Sequence, residues 1–415
     1  MTINVIKTSS GLAAIASVIA ISGAARAANV GDCAAVGPEP IYVAGSSAVK
    51  PFLKALGTKL AGTATIVYAS QGSCVGVDDV VNGTKLVADV EGAGKSVVWD
   101  NAGVESTCDL KVATSVDIGV SDVFATSCSG ITNVPATVGD FQGPIQVMNF
   151  VVPAAADVAT QSISAEAAYL VFGFDPASNN PDTTKAYADG TPWTSKADQW
   201  IRGAGSGTQS MLGKAIGVLP GRWALNTVAA QVAASSGAIV TAVGTPTGNI
   251  NATIGILASN DLDNNRAKIR GLAYQHYGQN CGYWPDSSSG SKDKLNVRTG
   301  RYPVWGPLHM LTKVNGQGVP TKQAAKDLID YVSGAKTLTG TDIVTLTTTS
   351  NLVPQCAMEV SRSDEIGEYM SVNPTCKCFY DTARGGDVTG CKACDEQNPC
   401  GNGLTCSYGF CEAIQ

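Results

Sequence analysis

Three short segments of this chain set glycine and hydroxyl residues between an apolar run and the first turn of a helix. They are Gly45-Ser46-Ser47-Ala48-Val49-Lys50-Pro51, Gly72-Ser73-Cys74-Val75-Gly76 and Arg202-Gly203-Ala204-Gly205-Ser206-Gly207-Thr208. Glycine lets backbone approach a ligand closely, and a helix start presents free N–H groups and a partial positive charge. Serine and threonine hydroxyls add donors in the same direction. Three such turns converging would enclose a small oxyanion, with Arg202 adding a charged, planar donor. Taken singly, each is also an ordinary helix start. A fourth segment, Asp117-Ile118-Gly119-Val120-Ser121-Asp122, ends a short strand in a Ser-Asp turn. Asp122 is either a turn residue or an acceptor facing the ligand. As an acceptor it would favour hydrogen phosphate, which keeps a proton at neutral pH, and repel sulfate, which does not.

The elements that must carry these turns are legible as short apolar runs. Ile41-Tyr42-Val43-Ala44 precedes the first turn, Thr65-Ile66-Val67-Tyr68 the second, and Ile118-Gly119-Val120 leads to Asp122. Val147 to Val152, Ile254 to Ala258 and Ile269 to Tyr274 are further strands bounded by turn formers. Pro51 suits a first helical turn, and Phe52, Leu53, Leu56 and Leu60 supply its buried stripe. A helix is expected from Thr321 as N-cap, through Ala324, Ala325, Leu328, Ile329 and Val332, to Gly334. Alternating strands and helices imply α/β layers. The polar stretches Ala177 to Asp189 and Asp286 to Lys294 are expected as surface insertions.

A length of 415 residues exceeds one ordinary core, and 44% hydrophobic with 15% charged residues excludes a mainly disordered chain. The formal charge of −6 argues against general nucleic-acid binding, which needs a basic footprint. Lys7, the apolar run Leu12 to Ile21 and Ala25-Arg26-Ala27 form an export signal, residues 1–27, with the mature chain expected to start at Ala28. That run is too short to span a bilayer comfortably, and no membrane insertion is expected after its removal. Thirteen cysteines fit an oxidising compartment, and seven fall between Cys376 and Cys411. They read as a disulfide-stapled module, with zinc at Cys391-x-x-Cys394 as the competing reading. The odd total leaves one thiol unpaired or shared between molecules.

No enzyme, metal or cofactor is expected. His276 and His309, the two histidines, read as buried or interface residues. Gly205-Ser206-Gly207 is a tight turn rather than a nucleophile elbow. Trp193, Trp200, Trp223, Trp284 and Trp305 are scattered singly, as core or lobe-packing residues are.

The order GSSAVKPF, YASQGSCVGV, DIGVSD, VMNFVV, RGAGSGTQ resembles the phosphate-binding component of bacterial ABC transporters, a type 2 periplasmic binding protein. The resemblance runs from about Ile41 to Val332 and leaves the tail outside. It implies a two-lobed α/β fold with an interlobe cleft. Residues 28–125 and 301–372 would form lobe 1 and 126–300 lobe 2, with a Cys-rich module over 373–415. It implies phosphate contacts from Ser47, Ala48 and Val49 (the last through backbone), and from Ser73, Asp122, Arg202, Ser206, Gly207 and Thr208. An ABC permease would be the partner, in the periplasm or at the cell surface. Family members commonly have Thr where this chain has Ala48, and many have Asp, bracing the arginine, at Ala204. Arg202 is therefore expected to be less fixed or held by another acceptor. The alternatives are a binding protein for another small oxyanion, a sensor, and a cell-surface structural or adhesive protein reusing the fold.

Overall fold

The computed structural model describes residues 27–157, 159, 161–173, 192–193, 195–218, 220–401 and 403–413. Residues 1–26 of the export signal and the polar stretch 177–189 lie outside them.

Twelve strands build one continuous sheet. In chain order they are β1 (Asn29–Asp32), β2 (Pro40–Gly45), β3 (Thr65–Ser70), β4 (Ser96–Trp99), β5 (Glu105–Asp109) and β6 (Ile118–Ser121). There follow β7 (Val138–Pro153), β8 (Gln199–Arg202), β9 (Val232–Ala233), β10 (Ile254–Ala258), β11 (Ile269–Gly271) and β12 (Trp305–Lys313). Their spatial order is β1-β5-β4-β3-β2-β6-β12-β7-β10-β8-β9, with β11 also on β7. The helices that matter for the site are α1 (Lys50–Leu60), α2 (Ser73–Val81), α3 (Gly207–Ile216), α4 (Ser236–Gly244) and α5 (Ser259–Asn264). Two more, α6 (Gln323–Ser333) and α7 (Lys377–Arg384), lie later in the chain.

The sheet has two halves that share β7. The 16-residue strand pairs antiparallel with β12 along Val138–Val147, then with β10 over Met148–Val151 and with β11 over Val151–Pro153. From Gly143 to Pro153 every residue is buried, Gln146 and Asn149 included, so this stretch does not alternate between a buried and an exposed face. Within each half the parallel pairs β2/β3, β2/β6 and β8/β10 bring strand ends to the same side, where the turns emerge. The expected two-lobed α/β layout is therefore present. Trp193, Trp223 and Trp305 are buried in the core. Among the described residues, no helix is long and apolar enough to cross a membrane.

Four expectations need correction. The strand read at Val147 to Val152 is the inner part of β7, whose polar start at Gly139, Asp140 and Gln142 hid the rest. The run Ile269 to Tyr274 is split at Leu272: β11 joins the main sheet, while Ala273–Gln275 pairs with Ser162–Ser164. Helix α6 begins at Gln323 with Lys322 at the N-cap, because Thr321 is tied to the Lys313 carbonyl by its amide (2.9 Å) and hydroxyl (3.3 Å). The stretch 286–294 exposes only its Ser/Gly tip. Asp286, Asp293 and Lys294 are buried, and Lys294 Nζ sits 2.8 Å from both Asp263 and Asp286, which Arg266 also bridges. Opposite charges that satisfy one another can leave water, so polar composition alone does not mark a surface loop.

Twelve cysteines are paired: Cys33–Cys108, Cys74–Cys128, Cys356–Cys376, Cys378–Cys391, Cys394–Cys406 and Cys400–Cys411. Cys281 is the free one and is exposed. The Cys394, Cys400 and Cys411 sulfurs lie close together, but all three are in disulfides, as is Cys391, which answers the zinc reading. Helix α7 is docked on the body. Tyr380 is buried, Asp381 takes buried Arg298 at 2.5 and 3.1 Å, and Arg384 reaches Asp263 at 3.1 Å.

Asp381→Ala leaves the Arg298 charge buried and uncompensated, so it is expected to cost about 3–5 kcal/mol in a denaturant melt. Glu396→Ala, at an exposed position, should change stability by no more than about 0.5 kcal/mol. Equal effects of the two would mean that the Arg298 pair is not a fixed part of the native state.

Candidate functional site

The first half of the sheet supplies three turns that meet at one carboxyl group. Strand β2 ends at Gly45, at φ +134°, where an added Cβ would lie 2.0 Å from the Val120 carbonyl of β6. Only glycine permits that approach. Ser46 follows, and its hydroxyl donates to Asp122 Oδ2 at 2.5 Å while accepting from the Ala48 amide at 3.1 Å. The Tyr68 hydroxyl donates to the Ser46 carbonyl. After β3, Ser73 opens α2; its hydroxyl donates to Asp122 Oδ2 at 3.1 Å and accepts from the Asp122 amide at 3.2 Å. Asp122 itself follows β6 directly. It is 2% exposed, and Oδ1 has no hydrogen-bond partner among the described residues.

The second half closes on this group. Arg202 ends β8 and is buried; Nε donates to Ala233 O (3.1 Å), Nη2 to Ala234 O (3.4 Å) and Nη1 to Ser236 Oγ (3.2 Å). Three of its five N–H donors are thus used and two remain. Ser206 is the N-cap of α3 but makes no side-chain cap bond. Gly207 begins the helix so close to the other half that a Cβ there would lie 2.3 Å from Ser73 Oγ and 2.9 Å from Asp122 Oδ2. The junction is fastened by Cys74 N to Gly205 O (3.0 Å), Asn260 Nδ2 to Ala48 O (2.7 Å) and the Ser47–Ser236 hydroxyl pair (3.4 Å). Gln146, on the shared strand β7, donates to Asn260 Oδ1 at 2.9 Å.

The sequence-derived candidates divide into two groups. Ser73, Asp122, Arg202, Ser206, Gly207 and Thr208 are all buried at or beside this junction. Ser47 is only half-buried and is paired with Ser236. Ala48 has both its amide and its carbonyl engaged, by Ser46 and Asn260. The Val49 side chain is in the apolar core of the first half, so only its backbone could serve a ligand.

Sequence reasoning missed Ser46, Ser236, Asn260 and Asp261 as members of this site, and Glu365 as its support. A signal existed for two of them: Ser259-Asn260-Asp261 follows the apolar strand β10, the same plan as the other three turns. Asp261 lies near Ser236 and Arg202, and the Ser236 hydroxyl takes Arg202 Nη1. The missing brace on Arg202 is thus supplied by two carbonyls and a hydroxyl. Glu365 accepts from Phe124 N (3.0 Å) and Ser127 Oγ (3.1 Å), and Cys74–Cys128 ties the same turn to α2, so the chain after Asp122 is held from two sides. His309 is buried, with Nδ1 2.8 Å from Asp140, as a core histidine.

Burial sets the electrostatics. It pushes the Asp122 carboxyl up, against the Ser46 and Ser73 hydrogen bonds and the Arg202 charge. Burial also pushes Asp261 up to about 6; the Ser236 hydrogen bond and Arg202 oppose it, and Asp122 adds to it. Arg202 is drawn down by burial and held up chiefly by Asp122. Donors from hydroxyls, an arginine and helix starts, set against carboxyl acceptors, can hold a small anion that still carries a proton.

No family model matches the chain, and no curated protein matches it. Among solved structures it is similar to a protein described as a phosphate ABC transporter substrate-binding protein from Clostridium perfringens, with bound phosphate. That pair is 14% identical, covers 76% of this chain and 99% of the other, and has a TM-score of 0.48. It is also similar to a possible phosphate binding protein from Planctomyces limnophilus (13% identity, 77% and 93% covered, TM-score 0.45). The OxyR regulatory domain from Pseudomonas aeruginosa matches as well (10% identity, 70% and 96% covered, TM-score 0.35).

A carboxyl raised to about 6 adds stability below its ordinary pKa of about 4 and loses it as pH rises through 6. Asp261→Asn removes this dependence. Relative to the native protein, the variant should be less stable near pH 4 and recover by about 2 kcal/mol at pH 8, after allowance for partial exposure. Thermal melts at the two pH values measure the difference, and a constant offset between them would contradict the raised carboxyl.

Proposed function

We propose that this chain is an exported solute-binding protein that closes two lobes on inorganic phosphate or a similar small oxyanion and delivers it to an ABC-transporter permease. One observation carries the reading: Asp122, bound on one oxygen by Ser46 and Ser73 and unpaired on the other, meets the glycine start of α3 with Arg202 close enough to influence it. Hydroxyls and N–H groups would hold the anion's bare oxygens. The unpaired Asp122 oxygen would accept its proton, which sulfate cannot provide. Helix starts at α2, α3 and α4 each add a partial positive charge of about half a unit, offsetting the carboxyls. Because the site takes groups from both halves, a ligand there would stabilise the closed arrangement.

Calorimetric titration of the full mature chain with phosphate and with sulfate tests this. Arg202→Ala should weaken phosphate binding by about 1.5–3 kcal/mol, roughly ten- to a hundredfold. Unchanged affinity in the folded variant would remove Arg202 from the site.

Asp122→Asn presents an amide that donates as well as accepts. Phosphate affinity should then fall modestly while sulfate gains, so the ratio between them shrinks. Native protein that binds sulfate as tightly as phosphate would show that Asp122 does not face the anion.

A further inference from the structure

Two carboxyl oxygens near Arg202 are sealed from solvent and unpaired: Asp122 Oδ1 and Asp261 Oδ2. Neither oxygen receives a hydrogen bond from its neighbours. Asp122 Oδ2 takes two hydroxyls, and Arg202 uses two carbonyls and Ser236. A buried carboxylate oxygen without a donor is costly, and a ligand O–H is the group that would satisfy it. Sulfate brings no such group, hydrogen phosphate brings one, and dihydrogen phosphate brings two.

Charge points the same way. The site has one arginine against two carboxyl groups that influence one another. A dianion added there meets more repulsion than a monoanion does. The groups facing Asp261 are Arg202 at the end of β8, Asp122 after β6 and the uncharged Ser236 of α4. Strand β7, packed against α5, presents Gln146 and Asn149, which bond to Asn260 and Ser259. Asp263, two residues along α5, directs its carboxylate to Lys294, Arg266 and Arg384.

We infer that the site takes its oxyanion as a monoanion carrying two O–H groups, dihydrogen phosphate or dihydrogen arsenate, with Asp261 accepting the second proton beside Asp122. This rests on the oxyanion reading above and narrows it to one ionic form. Asp261 is then a specificity-determining residue.

The test uses calorimetry of the full mature chain with inorganic phosphate at pH 7.5 and 8.5, above the point at which Asp261 ionises and where phosphate is mostly the dianion. Apparent affinity should fall roughly tenfold between the two, as one proton is bound with the ligand. Titrations at pH 8.5 in two buffers of different ionisation enthalpy should report about one proton taken up per phosphate. Asp261→Asn, whose amide can donate to a bare oxygen, should bring the fall to about threefold or less. Phosphate binding without pH dependence or proton uptake overturns this inference and leaves the phosphate reading intact. A native slope unchanged in Asp261→Asn overturns the role of Asp261. No phosphate binding at either pH overturns both the reading and the inference.

Discussion

One oxygen of Asp122 organises the first half of this molecule. The hydroxyls of Ser46 and Ser73 both point to it; Ser46 follows β2, Ser73 opens the helix that comes after β3, and Asp122 follows β6. Three parallel strand ends are therefore pinned to a common atom. The glycines around it follow from that crowding: Gly45 passes against the Val120 carbonyl, and Gly207 brings a helix start where no side chain fits. The second oxygen is left unpaired, since both of those hydroxyls go to the first. A buried carboxyl half satisfied in this way keeps one oxygen open to a donor that the protein itself does not bring to it.

The support beneath it is layered. Cys74–Cys128 and Glu365 fix the chain after Asp122, and Tyr68 fixes the Ser46 carbonyl from below. In the second half, Arg202 is oriented by backbone carbonyls rather than by a carboxylate at close range, so its charge is less neutralised by its own brace. Asn260 joins the halves through Gln146, which belongs to the strand common to both.

Much of this was legible in the residues. Strand, Gly/Ser turn and helix are encoded locally, so α1, α2 and α3 follow their turns as expected, Pro51 and the apolar stripes included. What escaped was non-local. Ser236 and Glu365 matter because of what folds against them, from 34 residues beyond Arg202 and 241 beyond Phe124, and nothing in their own neighbourhoods says so. The buried charges around Lys294 escaped for a related reason. Their partners lie on α5 and α7, and a run of serine, glycine and aspartate looks solvated until those partners are known. The amide and carbonyl of Ala48 are both taken up by the protein itself, while Val49 buries its side chain in the core and keeps its amide free of any such partner among the described residues.

The continuity of β7 has a mechanical consequence. A joint made from a loop swings freely and stores nothing. Here the halves are joined through a strand hydrogen-bonded to β12 on one stretch and β10 on the next, buried along most of its length. Moving the halves apart must twist that strand and load its ladders, as one winds a torsion bar. Such a joint has a restoring torque and a rest angle, and its excursions are small rotations shared over several residues rather than a large one at a single bond.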